Sequence, residues 1–216
     1  MRRKFGVYTG SLLLNNTCIG LMTSEWIHYF GYGSLVNRDT RPPEEPSICA
    51  RLDGWKRVWG HRVQSTGEHA GCTSLSVIPA NGAIDGVVVR MPIADLPMLD
   101  ERERGYQRLA IPRQQFDLEG EVDAKIVYMY QSAPENRGLA TAANPILLSY
   151  VDCVMAGYEK LFGEQGLTDF LHSTDGWSGA IENDRQAPRY PRAVTLTEDV
   201  HKRFDQALYN AMHGNK

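Results

Sequence analysis

The sequence lacks the residue spacings that mark metal and redox sites. No two of its four cysteines form a C-x-x-C pair, and no two of its six histidines form an H-x-x-x-H pair. Neither a disulfide framework nor a metal site is therefore expected, and no cofactor is predicted. The cysteines are interpreted as reduced thiols of a cytoplasmic protein. They are Cys18, Cys49, Cys72 and Cys153.

The sequence also has no large excess of positive or negative charge and no long hydrophobic run. Lys and Arg number 23 against 26 for Asp and Glu, so the net charge is −3 and no basic excess favours nucleic acid. No apolar run approaches the roughly 20 residues that cross a bilayer. The sequence therefore predicts a soluble, cytoplasmic protein whose partner is a small molecule. The oligomeric state is left open.

The composition is that of a globular domain, with 42% hydrophobic and 23% charged residues in 216. Residues 1–21 begin with a basic run, but they contain no apolar segment typical of a signal peptide. We expect this stretch to be a poorly structured leader, with Met22 as an alternative start. Residues 22–216 are predicted to form one domain with a C-terminal helical extension from about residue 144.

The N-terminal and middle parts of the chain are rich in β-prone segments. Ser47–Val63 alternates irregularly and predicts one or two strands bent at Gly54. Strands are also expected over residues 72–78 and 84–91, and the Pro79–Gly82 segment between them predicts a hairpin turn because it contains Asn-Gly. The other expected strands cover residues 106–111 and 124–130.

Helices are predicted mainly toward the C-terminus, which favours an α+β class. Asn144 is expected to cap the longest helix, Pro145 to occupy its first position and Gly163 to end it. Its expected apolar stripe is Leu147, Val151, Val154, Tyr158 and Leu161. A shorter helix is expected over residues 167–172. A last helix beginning near Thr197 is predicted to bury Val200, Phe204, Leu208 and Met212.

The stretch Ile27–Leu35 combines a β-prone run with an abrupt Gly31-Tyr32-Gly33-Ser34 ending. Glycine permits a positive φ and a close approach of the backbone, so successive N–H groups can converge on a carboxylate or an oxyanion. The segment is therefore a candidate anion-binding turn. An ordinary strand followed by a glycine turn has the same pattern, and the segment alone does not separate the two.

A short helix is predicted over Leu96–Arg104, with Asp95 as its N-cap and Gly105 as its C-terminal stop. On this helix Asp100 has the i,i+4 spacing for an ion pair with Arg104. The helix also carries polar residues that are expected to point away from the core. These are Glu101, Arg102 and Arg104.

Glu103 is the carboxylate of this helix that is expected to face the core. At about 100° per residue it falls between Leu96 and Leu99, on the apolar side. Burial and the negative end of the helix dipole both raise a carboxylate pKa, toward the value that a general base needs at neutral pH. Two interpretations stay open from the pattern alone: a general base, or a structural carboxylate paired with a core-facing arginine.

Two short motifs, in their order along the chain, resemble the γ-glutamylcyclotransferase-like family. They are Tyr32-Gly33-Ser34-Leu35 and, further along, Leu99-Asp100-Glu101-Arg102-Glu103 followed by Gly105-Tyr106. The resemblance includes Leu52-x-Gly54-Trp55-Lys56-Arg57 and extends over residues 26–130, and the C-terminal part resembles a bacterial-type extension. It implies a mixed, partly closed β-barrel flanked by helices.

The resemblance also implies a reaction, the intramolecular cyclisation of a γ-glutamyl compound with release of 5-oxoproline and a free amine or amino acid. It implies Glu103 as the general acid/base. Tyr106 is a candidate for contacting the substrate or orienting Glu103, although an aromatic residue that opens a strand is often part of the core. The substrate-binding loop implied by the family is Tyr32, Gly33, Ser34 and Leu35.

Such a reaction needs no serine, cysteine or metal, because the substrate carries its own nucleophile, the α-amine. Two alternatives are retained. One is a cyclotransferase acting on γ-glutamylamines or on a carrier-linked γ-glutamyl group. The other is a non-catalytic binder or sensor, against which an inward-facing Glu103 argues, since a sensor has no need of a carboxylate with a raised pKa.

Overall fold

The computed structural model describes residues 25–64 and 70–213. The predicted leader, residues 1–21, lies outside the described residues, as does Met22. One curled, mixed sheet forms a half-barrel with helices against it, which confirms the predicted α+β class and the partly closed barrel. In the described part, no helix is long and apolar enough to cross a membrane.

The sheet of the described residues contains nine strands. They are β1 (Trp26–Gly31), β2 (Ser47–Arg62), β3 (Thr73–Pro92), β4 (Tyr106–Pro112), β5 (Phe116–Leu118), β6 (Ile126–Ser132), β7 (Ile146–Leu147), β8 (Thr174–Asp175) and β9 (Ile181–Glu182). The main path runs β4-β6-β1-β3-β2-β5, with β1 and β6 parallel and the other neighbours antiparallel. Of the remaining strands, β7 pairs with β3 and β9, and β8 pairs with β2.

The long β2–β3 pair corrects the predicted turn. Pairing continues from Asp53 opposite Ala83 to Trp55 opposite Pro79, so residues 80–82 form a bulge within β3 and no hairpin turn is made. Asn-Gly is accommodated there because β2 supplies partners on both sides of the bulge. Gly54 lies at the same irregularity with φ 85°, which confirms the predicted bend.

The short helix α1 (Leu96–Arg102) ends earlier than predicted. Glu103 is its C-cap, and Gly105 follows with φ 90°, so the chain leaves the helix just before β4. Asp95 occupies the N-cap position, but its side chain makes no capping hydrogen bond.

The long helix α2 (Leu148–His172) is buried on all sides over residues 148–155. It begins later than predicted because the two residues before it form β7, which pairs with β3 and β9. Asn144 therefore closes a turn with Thr141, Pro145 connects this turn to β7, and the prediction that the two residues start the helix is wrong.

The first helical part of α2 ends at Gly163 as predicted, because the φ of 69° and ψ of −169° at this residue are not helical. A second helical part follows this kink and extends to His172, and it includes the predicted shorter helix over residues 167–172. Leu161 is 39% exposed, so it does not belong to the buried face. The other residues of the predicted stripe are buried: Leu147, Val151, Val154 and Tyr158.

The last helix, α3 (Glu198–His213), packs against α2. Phe204 and Leu208 are buried as predicted, whereas Val200 is half-buried and Met212 is exposed. An ion-pair network joins the two helices through Arg185, which contacts the buried Asp152 of α2 and Asp205 of α3.

Candidate active site

Two adjoining cavities open where the loop after β1, the end of α1, the start of β4 and the helix α2 meet. The larger one, called the outer cavity, has a volume of about 490 Å³. The smaller one, called the inner pocket, has a volume of about 40 Å³. The residues that line both are Ser34, Glu103, Tyr106 and Tyr150.

Glu103 lies between the two cavities, and the backbone holds it firmly. Its N–H donates to the Leu99 carbonyl at 2.9 Å, and its own carbonyl accepts from the Tyr106 N–H at 3.0 Å. The side chain is 16% exposed, with Oε1 3.4 Å from Arg102 Nε. Burial raises the pKa of this carboxyl, and the nearby guanidinium groups of Arg102 and Arg192 offset part of that rise.

The neighbouring carboxylates of α1 face elsewhere. Glu101 is largely exposed and pairs with Arg104. The predicted pair between Asp100 and Arg104 is wrong, because α1 ends at Arg102 and its helical spacing does not extend to residue 104. Asp100 instead binds Arg108 of β4. The structure thus places Glu103, and not Glu101, on the buried side of α1, as the helical pattern predicts.

The predicted binding loop, Tyr32–Leu35, lines the inner pocket and is here called the glycine loop. In the described part of the chain, the N–H groups of Gly33, Ser34 and Leu35 have no hydrogen-bond acceptor. They precede and begin a single-turn 3₁₀ helix over Ser34–Val36, where backbone donors lack internal partners. An anion in the inner pocket would supply the missing acceptor.

Gly31 at the end of β1 and Gly33 within the glycine loop are required for close packing and not for a positive φ, which neither of them has. A Cβ on Gly31 would lie 2.6 Å from Leu35 Cβ. A Cβ on Gly33 would lie 3.0 Å from the Tyr150 hydroxyl oxygen. Neither glycine thus adopts the positive φ that the sequence allowed, and their lack of a side chain instead makes room for Leu35 and Tyr150.

Hydrogen bonds from distant elements support the glycine loop. The Tyr32 hydroxyl donates to the Tyr130 carbonyl at 2.6 Å, and the Tyr32 carbonyl accepts from the Tyr158 hydroxyl at 2.9 Å. The Ser34 carbonyl accepts from the Thr40 hydroxyl at 2.8 Å. Leu35 is buried, so its side chain anchors the loop in the core.

Tyr106 lines both cavities, but its hydroxyl is already engaged. It donates to the Leu75 carbonyl at 2.7 Å and lies 2.8 Å from Ser74 Oγ. Its ring stacks on His61 at 3.8 Å between centroids. These contacts hold the Tyr106 side chain in place beside Glu103.

Burial lowers the pKa of His61 to about 4, so this imidazole is neutral at pH 7.

Several residues of the site come from the C-terminal part and were not predicted as site residues. Tyr150 lines both cavities, and its ring packs on Tyr190 at 4.8 Å between centroids. Burial raises the pKa of Tyr190 to about 12, which the adjacent Ser34 side chain partly offsets. Tyr190 and Arg192 complete the wall of the outer cavity. In the sequence these two residues belong to the C-terminal part that resembles a bacterial-type extension, and no local pattern links them to Glu103.

Arg102, which the sequence favoured as a solvated helix residue, is largely buried instead. Its side chain is 14% exposed and donates to the Thr40 carbonyl at 2.7 Å. It thereby ties the end of α1 to the segment that follows the glycine loop.

The outer cavity also contains Cys72, whose thiol is protonated at neutral pH because burial raises its pKa to about 11. Among the described residues, no group of three or more His, Cys, Asp or Glu side chains is close enough to hold a metal ion. A carboxyl with a raised pKa next to free backbone N–H donors can transfer protons to and from a bound group.

Comparisons with known proteins identify the fold. Among solved structures, uncharacterized protein loc79017 from Homo sapiens matches with a TM-score of 0.54 at 18% identity, over 84% of this chain and 99% of that one. A structure named Gamma-glutamyl cyclotransferase matches with a TM-score of 0.53 at 17% identity, over the same shares of the two chains. The protein therefore has a γ-glutamyl cyclotransferase-like fold. No protein-family model matches the sequence, and no curated protein matches it either.

Proposed function

We propose that this protein cyclises a γ-glutamyl compound, with release of 5-oxoproline and a free amine or amino acid, and that Glu103 is the general acid/base. The observation that carries this proposal is the position of Glu103. It is a largely buried carboxyl with a raised pKa that lines both cavities, and it shares the inner pocket with a loop whose N–H groups of Gly33, Ser34 and Leu35 have no acceptor among the described residues. The γ-glutamyl cyclotransferase-like fold supports the same reaction class.

The reaction follows from proton transfer at one carboxyl. Glu103 takes a proton from the substrate α-ammonium, and the freed amine attacks the γ-carbonyl carbon to close a five-membered ring. The glutamyl chain already joins the amine and the γ-carbonyl in one molecule, which gives the amine a high effective concentration at the carbonyl carbon. The C–N bond to the leaving group then breaks as Glu103 gives its proton to the departing nitrogen. The ring nitrogen still carries two hydrogens after the attack and loses one through the freed carboxylate to the departing amine. Two protons thus pass from the α-nitrogen to the leaving group, the products are the neutral lactam and an ammonium ion, and the carboxylate is regenerated.

The two cavities divide the substrate between them in this proposal. The inner pocket, at about 40 Å³, accommodates one small anionic group, either the α-carboxylate or the developing oxyanion. The N–H groups of Gly33, Ser34 and Leu35 are the donors for that group. The outer cavity, at about 490 Å³, has room for the rest of the substrate.

A screen for released 5-oxoproline tests the proposal, with glutathione, γ-glutamyl dipeptides and γ-glutamylamines as substrates. Release from at least one class, and its loss in Glu103→Gln, is expected. Saturable binding of these compounds without any release of 5-oxoproline would instead support the non-catalytic binder. Neither binding nor release across the whole panel contradicts both functions.

A further inference from the structure

We propose that the imidazole of His61 accepts a hydrogen bond from the leaving-group nitrogen through Nε2, and so orients that nitrogen to receive its proton from Glu103. The inference rests on the proposed cyclisation and deepens it by naming a second residue that contacts the reacting atoms. It also names the substrate class, γ-glutamyl compounds whose scissile bond is a secondary amide with an N–H. Its basis is the fixed position of the imidazole and the different surroundings of its two nitrogens.

The imidazole of His61 is held in place next to the turn that follows Glu103. His61 is only 2% exposed, its ring stacks on Tyr106, and its Nδ1 lies 2.9 Å from Ser132 Oγ. Gly105 makes room for the ring, since a Cβ there would lie 3.1 Å from His61 Cε1 and 3.5 Å from Nε2. The ring edge that carries Nε2 therefore lies against the backbone that connects Glu103 to β4.

The two ring nitrogens of His61 have different roles. The Ser132 hydroxyl donates to the Ala133 carbonyl at 3.3 Å, so its oxygen accepts from the His61 Nδ1–H. The ring proton is thereby assigned to Nδ1, and Nε2 keeps a lone pair. In the described part of the chain, Nε2 has no hydrogen-bond partner and is not enclosed by protein atoms, so it is open to the outer cavity that His61 lines.

This lone pair is a persistent acceptor at neutral pH. Burial lowers the pKa of His61 to about 4, so Nε2 stays unprotonated well below pH 7. A nearly buried acceptor without a protein donor is uncommon in folded proteins, and a donor on the ligand would complete it.

The position of His61 matches the leaving-group side of the reaction. His61 lines the outer cavity but not the inner pocket, whereas Glu103 lines both. With the γ-glutamyl group folded toward the inner pocket, the scissile amide lies beside Glu103 and its nitrogen faces the outer cavity. In the tetrahedral intermediate this nitrogen carries one hydrogen and one lone pair, which point in different directions.

A hydrogen bond from this N–H to His61 Nε2 turns the nitrogen lone pair toward the carboxyl of Glu103. His61 itself gains and loses no proton, and both proton transfers remain with Glu103. The same acceptor then stabilises the departing ammonium ion, because a neutral imidazole does not repel its charge.

Two substrates that differ only in this N–H provide the test. They are γ-glutamyl-glycine and the γ-glutamyl ester of glycolic acid, in which an oxygen replaces the N–H. The variant is His61→Asn, whose amide can still contact Ser132 near the place of Nδ1 but has no group at the place of Nε2. We expect kcat/KM for 5-oxoproline release from the amide to fall by about tenfold, the value of one hydrogen bond, while that for the ester changes by less than about twofold. The spontaneous cyclisation of the ester is measured without protein and subtracted.

His61→Gln is the conservative variant, because its longer side chain brings an amide oxygen to the place of Nε2, and it should recover part of the loss on the amide. His61→Phe keeps a ring to stack on Tyr106 and repeats the test if His61→Asn does not fold. His172→Asn is the matched control, since His172 is exposed at the end of α2 and lines neither cavity. It should leave both substrates unaffected.

Equal losses on amide and ester in the His61 variants would overturn the inference, because His61 would then support the site without contacting the N–H. An unchanged rate on the amide also overturns it, and in both cases release by the unmodified protein leaves the proposed function standing. Absence of release from every γ-glutamyl substrate by the unmodified protein overturns the proposed function and this inference together.

Discussion

Arg57 donates a hydrogen bond to the Tyr158 hydroxyl at 2.7 Å, and its side chain is almost completely buried without a carboxylate partner among the described residues. Its other hydrogen bonds go to neutral oxygens of Asp85, Ser173 and Thr174. The Tyr158 hydroxyl in turn lies 2.9 Å from the Tyr32 carbonyl and 2.7 Å from the Asp85 carbonyl, and its one hydrogen is shared between these two acceptors. A buried positive charge therefore lies behind the Tyr32–Gly33 peptide and polarises it, which makes the Gly33 N–H a stronger donor to an anion.

Tyr158→Phe should weaken the glycine loop as an anion site. Removing the hydroxyl leaves the Tyr32 carbonyl without this donor and Arg57 without one acceptor, so we expect stability to fall by about 1 to 3 kcal/mol. We also expect kcat/KM for 5-oxoproline release to fall by about tenfold in protein that is still folded. Kinetics measured well below the melting temperature check this. Tyr209→Phe, at an exposed position of α3, is the control. Unchanged kinetic constants in folded Tyr158→Phe would reduce Tyr158 to a structural role.

Gly33→Val should abolish substrate binding while leaving the protein folded. A Cβ at this position lies 3.0 Å from the Tyr150 hydroxyl oxygen, and valine adds two methyl groups at the inner pocket. Calorimetric titration of a γ-glutamyl substrate checks this in a Glu103→Gln background, where turnover is suppressed. Gly120→Val is the control, because its nearest neighbour, an Ile48 methyl group, is 3.6 Å away. Unchanged affinity in the Gly33 variant would make the loop an ordinary turn.

Glu103→Gln should make the protein more stable at neutral pH. Because burial raises the pKa of Glu103 above its ordinary value of 4.5, the folded state binds the proton more tightly than the unfolded chain. Stability is therefore lost as the pH rises from about 4.5 through the raised pKa, and the amide avoids that loss. Urea unfolding at pH 4 and pH 8 checks this. The glutamine variant should have a larger free energy of unfolding than the unmodified protein at pH 8, and the difference should be small at pH 4. A larger difference at pH 4 than at pH 8 would contradict the burial of an ionised carboxyl.

Local sequence patterns were sufficient for much of the fold. The sequence predicted both the strand β2, from its alternation of apolar residues, and its bend at Gly54. The bend was predictable because glycine adopts a positive φ, here 85°, more easily than other residues. The conformation of Asn81-Gly82 was not predicted. The same dipeptide forms a turn, or a bulge when a neighbouring strand pairs with the residues on both sides of it, as β2 does here. The start of α2 was missed for a related reason, because β7 forms only when β3 and β9 lie beside it.

The sequence predicted the part of the site that depends on one face of α1. It did not predict the parts that form where segments distant in the sequence meet. The position of Glu103 follows from its spacing to Leu99 on α1. The close approach at Gly33 depends on Tyr150 of α2, which is far away in the sequence. Arg192 reaches the outer cavity only through the folded C-terminal segment. No periodicity along the chain connects these three residues.

The central claim is that Glu103 is the general base, and turnover in two matched variants tests it most directly. Glu103→Gln and Glu101→Gln remove the same charge two residues apart, one from the buried side of α1 and one from its exposed side. With a γ-glutamyl substrate that the protein accepts, kcat for 5-oxoproline release should fall by roughly two to four orders of magnitude in Glu103→Gln, the usual contribution of a general base. Glu101→Gln should retain nearly full turnover. Equal losses in the two variants, or a larger loss at Glu101, would contradict the account.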